Sequence, residues 1–221
     1  MICVQAVSLP PVNRREILRY AGAQIETPDL SALLDEALAE ALPVLSGKVC
    51  WKEFPVFRNG ELLDLGFAKT TSDALKRNLR SCEQAVIFAA TIGLGLDRLI
   101  ARYTHLSPAK ALLLQAIGAE RIEALCDTFC EQLQQDAAKN GLFPAPRFSP
   151  GYGDLPLEIQ KDIFRVLDCS RKIGLTLNES LLMSPSKSVT AIAGLRSCTG
   201  PDPSNRCSLC GKTDCTYRRT V

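Results

Sequence analysis

The segment RFSPGYG, residues 147 to 153, combines residue types that suit the binding of a small polar ligand. A guanidinium such as that of Arg147 can hold a carboxylate through two parallel hydrogen bonds. Pro150 fixes its own φ angle, and Gly151 and Gly153 let the backbone approach a ligand with no Cβ atom in between. Tyr152 adds an aromatic face and one hydroxyl. Taken alone, these residues fit either a ligand-contacting loop or a rigid loop whose arginine forms a surface ion pair, and the second arrangement is the more common.

Four of the ten cysteines crowd into the C-terminal tail: Cys198, Cys207, Cys210 and Cys215. A Cys-x-x-Cys-Gly turn directs backbone amides toward its two sulfurs, a geometry that serves zinc and iron alike. The tail is too polar to build a core, so zinc could fold it, and an iron–sulfur cluster could deliver an electron. The spacing therefore predicts a zinc or iron–sulfur site, with free or redox-paired thiols as the alternative.

The remaining six cysteines are scattered among apolar neighbours and are predicted to be core residues: Cys3, Cys50, Cys82, Cys126, Cys130 and Cys169. Cys126 and Cys130 lie one helical turn apart and could share a ligand. The simpler interpretation is two small apolar side chains on one buried helix face.

The elements around these residues alternate between helical and strand patterns. Apolar periodicity predicts helices at 13–20, 29–42, 96–103 and 159–167, and a longest helix from Ser107 to about Lys139. Strands are predicted within 48–65, around a hairpin turn, and at 85–93 and 186–194. The pattern is typical of an α+β domain followed by a cysteine-rich tail.

Composition excludes several classes of protein. The chain has 221 residues, with 46% hydrophobic and 23% charged residues, which is ordinary for a soluble globular protein. The formal net charge of +2 gives no field that would attract nucleic acid. No signal peptide and no apolar run of membrane-spanning length is visible, so we expect a cytoplasmic protein.

Three motifs in order resemble the activation domain of cobalamin-dependent methionine synthase. Arg-x-x-Pro-Gly-Tyr, at 147–152, resembles that family's S-adenosylmethionine-binding turn. AVIFAATIGLGLDRLIARY, from Ala85, resembles its apolar strand and following helix. GLTLNESLLMSPSKSVTAIAG, residues 174–194, resembles its late threonine, methionine–proline and serine–valine elements. The resemblance covers 85–194, about half of the chain.

This resemblance implies a curved antiparallel sheet flanked by helices. It makes residues 85–195 the core of the domain and residues 1–84 an N-terminal part of the same domain. The tail at 196–221, predicted to bind a metal from its cysteine spacing, lies outside the resemblance. Arg147 would grip the carboxylate of S-adenosylmethionine, and the backbone around Ser149, Pro150 and Gly151 would meet the rest of it. Tyr152 would lie near the corrin ring of a docked partner.

The implied function is reductive reactivation in trans. The partner would be a cobalamin-binding methionine synthase that lacks its own activation domain. One-electron reduction of its inactive Co(II) cobalamin, with a flavodoxin or ferredoxin type electron donor, would be coupled to methyl transfer from S-adenosylmethionine. The cofactor carries this chemistry, so we expect no catalytic acid or base among the protein side chains.

The sequence also departs from the family pattern. The acidic residue that helps to hold the donor cannot be placed by motif, and Glu53 and Asp64 are the candidates. Two alternatives to reactivation of methionine synthase stay open. One is an S-adenosylmethionine-binding activator of another corrinoid methyltransferase, and the other is a regulatory binding module with a zinc tail.

Overall fold

A five-stranded antiparallel sheet forms the centre of the structure, a computed structural model that describes residues 1–197. In spatial order the strands are β1 (Cys3–Ala6), β2 (Lys48–Pro55), β6 (Cys82–Thr91), β10 (Ser188–Arg196) and β7 (Phe143–Pro144). The longest ladder joins β6 to β10, in a register that pairs Thr91 with Ser188 and Ala85 with Gly194. The sheet is curved and flanked by helices, so the predicted α+β fold is confirmed.

The remaining elements surround this sheet. The small sheets contain β3 (Phe57–Asn59), β4 (Leu62–Asp64) and β5 (Lys69–Thr70), and separately β8 (Thr176–Leu177) and β9 (Met183–Ser184). The helices are α1 (Arg14–Tyr20), α2 (Pro28–Ala41), α3 (Asp73–Asn78), α4 (Gly95–Leu106), α5 (Pro108–Ala138), α6 (Ile159–Leu167) and α7 (Cys169–Ile173). Within residues 1–197, no helix has both the length and the apolar character that crossing a membrane requires.

Strand β6 explains why the run at 85–93 is apolar without interruption. Alternate residues of a strand point to opposite faces of the sheet, and both faces of β6 are covered. Val86 and Phe88 belong to a core that also contains α5 side chains, including Phe129. Ala85 and Ile87 belong to a second core that also contains side chains of α6 and α7. The sheet therefore separates two layers of helices.

Helix α5 is the longest element, and it begins and ends where the sequence predicts. Pro108 occupies its first turn, and Gly141, with φ of 68°, follows its end. Gly118 lets other elements pack closely against it, since a Cβ atom there would lie 2.6 Å from the Leu96 side chain. The helix thus provides a rigid support along one face of the sheet.

Helix α2 starts earlier than predicted. Thr27, not a residue of the Asp29–Ser31 segment, is its N-cap, and its hydroxyl accepts a hydrogen bond from the Leu30 amide at 3.3 Å. Pro28 then fills the first helical position, where its missing N–H costs nothing.

Candidate functional site

The Arg147 segment lies along the edge of the central sheet and is hydrogen-bonded to strand β10. The Ala145 amide donates to the Gly194 carbonyl at 2.7 Å, and Phe148 exchanges two hydrogen bonds of 2.9 Å with Ile192. Phe148 packs against the core beneath α6. The side chain of Arg147, the preceding residue, contacts α5 on the opposite face of the sheet. The edge of the sheet therefore fixes the direction of the guanidinium.

Two carboxylates of α5 hold the Arg147 guanidinium. Nη2 donates to Glu123 at 2.6 Å, and Nη1 donates to Asp127. These acids are four residues apart and so lie on one face of the helix. The Arg147 side chain is 18% exposed, whereas Glu123 and Asp127 are 39% and 44% exposed. Burial by itself lowers the pKa of Arg147, but the two carboxylates outweigh it and the net shift is upward.

The turn after Arg147 is closed by its own backbone. The Gly151 amide donates to the Leu155 carbonyl at 2.9 Å, and the Tyr152 amide donates to the Ser149 carbonyl at 3.2 Å. Gly151 adopts φ of 89°, a conformation that side chains with a Cβ atom rarely accept. Both amides are therefore engaged within the turn and are not free to donate to a ligand.

Tyr152 stands out of this turn into solvent. Its side chain is 67% exposed, although the turn beneath it is tightly bonded and Pro150 is buried. An aromatic ring held outward on a rigid turn offers a flat contact surface to another molecule.

Helix α3 anchors the turn at both ends. Asp154 accepts hydrogen bonds from the Ser72 hydroxyl at 2.5 Å and from the Asp73 amide at 2.7 Å. These bonds, that of Ser72 first, lower the pKa of Asp154 to about 2. On the other side of the turn, the Asn78 side-chain amide donates to the Pro146 carbonyl at 3.0 Å.

Cys126 and Cys130 lie on α5 close to Arg147. Burial raises the pKa of both thiols, and for each of them Arg147 opposes this shift. Both are free cysteines. They are therefore protonated at neutral pH and serve as packing residues beside the guanidinium.

The five predicted binding residues lie within six consecutive positions, 147–152, but the predicted acidic candidates do not reach them. Asp64 is engaged locally, because it accepts from the Gly66 amide at 2.8 Å and pairs with Lys69. Glu53 pairs across the sheet with Val86, which pairs in turn with Ala193, the residue next to Ile192. Three strand spacings then separate Glu53 from the Arg147 segment, about 14 Å. Glu123, Asp127 and Asp154 are the acids in contact with the segment and its arginine.

The predicted metal ligands Cys198, Cys207, Cys210 and Cys215 lie outside the described residues. Within residues 1–197, no cluster of three or more histidine, cysteine or acidic side chains could hold a metal ion. The zinc or iron–sulfur site stays a prediction about the tail.

Comparison with known proteins agrees with this geometry. The family model described as vitamin B12 dependent methionine synthase, activation domain, matches residues 68–197. A crystal structure of the MetH reactivation domain bound to AdoHcy superimposes with a TM-score of 0.63 at 15% identity, covering 90% of this chain and 80% of that one. No curated protein matches the chain. Because the family model spans more than half of the sequence, including the whole Arg147 turn, the chain belongs to the family of vitamin B12 dependent methionine synthase activation domains.

Proposed function

We propose that this protein binds S-adenosylmethionine as a methyl donor and reactivates, in trans, a cobalamin-binding methionine synthase that lacks its own activation domain. The observation that carries the proposal is the Arg147–Tyr152 turn, rigidly anchored within the region that matches the family model. The MetH reactivation domain of similar fold was crystallised with AdoHcy, which differs from S-adenosylmethionine by one methyl group.

Arg147 retains hydrogen-bonding capacity for a ligand. A guanidinium has five N–H donors. The contacts to Glu123 and Asp127 use two of them, and a hydrogen bond to the Cys130 thiol uses a third. The remaining two can donate to a further carboxylate, such as that of an amino-acid tail. Glu123 and Asp127, each more than a third exposed, can at the same time pair with the ammonium group of that tail. An arginine between two carboxylates thus complements a zwitterion.

The rest of the turn would contact the donor and the partner. The backbone of Ser149 and Gly151 would meet the rest of the donor beside Arg147, and Pro150, which is buried, would hold that backbone in place. Tyr152, exposed beyond the turn, would face the corrin ring of the docked partner. S-adenosylmethionine supplies the methyl group and the partner supplies the cobalamin, so the protein's task is to position them. We assign no catalytic acid or base.

The electron would come from a flavodoxin or ferredoxin type donor in the cytoplasm. A metal at the tail cysteines, an iron–sulfur cluster in particular, would give the electron a route through this chain. That part of the proposal is tested separately, by elemental analysis and absorption spectra of protein purified without oxygen and of its Cys210→Ser variant.

Calorimetry with S-adenosylmethionine tests the donor site. Arg147→Ala should weaken binding by about 1.5–3 kcal/mol, the worth of hydrogen bonds to a charged group. This corresponds to roughly 10- to 150-fold in Kd. Arg165→Ala is the matched control, because Arg165 is also an arginine beside an acid but its side chain is 74% exposed on α6. Equal affinity of the wild type and Arg147→Ala would remove the basis of the assignment.

A further inference from the structure

Two buried thiols meet on the face of the sheet opposite Arg147. Cys50 belongs to β2, and Cys169 is the first residue of α7. Both side chains are 0% exposed and lie in the core that contains α6 and α7. The two thiol groups are hydrogen-bonded to each other. Neither cysteine has a role in the proposed donor site.

A surface cavity lies next to this pair. It has a volume of about 420 Å³, and Cys169 is among its lining residues whereas Cys50 is not. Its wall includes the cationic side chains Lys161 and Arg165, together with the aromatic ring of Phe164. A small anionic molecule that enters the cavity would therefore meet Cys169 before Cys50.

Helix α7 is short and has a left-handed residue at each end. It has only five residues and is bounded by two residues in the left-handed conformation, Asp168 with φ of 48° and Gly174 with φ of 69°. Each of these interrupts the helical backbone, and Asp168 is a residue type for which this conformation is less favourable than for glycine. A small displacement of α7 would expose Cys169 to the cavity without unwinding α6.

We propose that Cys50 and Cys169 form a reversible disulfide by exchange with a low-molecular-weight disulfide that enters this cavity. The Cys169 sulfur attacks the small disulfide, which forms a mixed disulfide and releases the first small thiolate. The Cys50 sulfur then attacks the Cys169 sulfur and releases the second. The two protein thiols lose two electrons and two protons, and the small disulfide gains them and becomes two small thiols.

The order of the two attacks rests on the position of Cys169 beside the cavity, and the electrostatics of the pair decide which thiol loses its proton more readily. The hydrogen bond with Cys169 is the largest cause of a lowered pKa at Cys50, and the same bond raises the pKa of Cys169. Cys50 is therefore the more acidic thiol of the reduced pair, and a thiolate at Cys50 is the nucleophile that the second attack requires. Lys172 adds to the lowering at Cys50.

Peptide mapping of the full chain tests the disulfide directly. The folded, reduced protein is equilibrated with oxidised glutathione, free thiols are alkylated, and the protein is digested with trypsin. We expect a cross-link between the peptides VCWK (49–52) and VLDCSR (166–171) that dithiothreitol reverses. Absence of this cross-link, glutathione attached to Cys169 alone, or a link from either cysteine to a different cysteine would each overturn the proposal.

Matched variants exclude indirect effects. Cys126→Ala changes a buried cysteine in the other core and should keep the cross-link. A variant with serine at 198, 207, 210 and 215 should keep it too. Cys169→Ser should abolish both the cross-link and the rise in melting temperature that oxidation causes in the wild type, since a disulfide restricts the unfolded chain. If Cys169→Ser does not fold, the wild-type peptide map still decides. The result is independent of S-adenosylmethionine binding.

Discussion

Arg121, a residue of helix α5, and Arg147, which packs against that helix, are both largely shielded from solvent, yet their surroundings differ. The Arg121 side chain is 1% exposed and bonded to Glu120, which is itself 6% exposed. It also donates to the carbonyls of Pro10 at 2.6 Å and Pro11 at 3.1 Å. Arg147 is 18% exposed, and its partners are two carboxylates that reach solvent.

The difference lies in how many donors remain. Arg121 uses four of five N–H groups: two go to Glu120 and one to each proline carbonyl. Arg147 uses three, two for its carboxylates and one for the Cys130 thiol. Arg121 therefore holds the N-terminal segment against α5 and has only one N–H group left to donate. Arg147 is held in place and can still donate hydrogen bonds to a ligand. The exposure of its carboxylate partners and its unused N–H donors therefore distinguish a ligand-binding arginine from a structural one.

Replacing Arg121 should have the largest effect on stability. Arg121→Ala leaves the Glu120 carboxylate buried without its partner, which typically costs about 3–5 kcal/mol. Urea denaturation of this variant, beside Arg165→Ala as an exposed control, measures the loss. A change of less than about 0.5 kcal/mol would mean that the buried pair does not fasten this region.

Replacing Arg147 should weaken donor binding more than it lowers the free energy of unfolding. Its two partners are partly exposed, so water can solvate them in Arg147→Ala and the free energy of unfolding should fall by at most about 1 kcal/mol. The loss of donor affinity should exceed this. Urea denaturation and calorimetry on the same preparation compare the two numbers. A stability loss as large as that of Arg121→Ala would class Arg147 as a structural residue.

The residues of the Arg147 turn could be recognised from the sequence, whereas the contacts of this turn with distant segments could not. The Arg147 turn is contiguous, so its proline, glycines and tyrosine are visible together. Glu123 and Asp127 show the four-residue spacing of one helix face, but nothing in the sequence says which later segment that face meets. The position of Glu53 relative to the Arg147 turn could not be predicted for the same reason, because it depends on strand order, which separates the two by three strand spacings. The contact of Cys50 with Cys169 likewise depends on how α7 returns to the sheet.

Asp154 tests whether the turn is rigid because α3 holds it. Its lowered pKa, about 2 against an ordinary 3.8, means that the charged carboxylate stabilises the fold above about pH 4. This contribution is lost as the pH falls through 2. The melting temperature of Asp154→Asn should lie below that of the wild type at pH 5–7, and the difference should shrink between pH 4 and pH 2. A difference that does not change with pH would contradict an ionic role.

Tyr152 should give the smallest effect on the isolated protein. Its ring is 67% exposed, and Tyr152→Phe keeps the ring and the turn while removing only a hydroxyl. Donor affinity and unfolding free energy should therefore stay within about 0.5 kcal/mol of the wild type, as for other exposed substitutions. If the ring meets the corrin of a docked partner, Tyr152→Phe should change only the rate at which the partner's Co(II) cobalamin returns to methylcobalamin, followed by absorbance. Tyr20→Phe, a second tyrosine with a partly exposed ring, is the control and should leave that rate unchanged. Loss of donor binding in Tyr152→Phe would instead place the hydroxyl in the donor site beside Arg147.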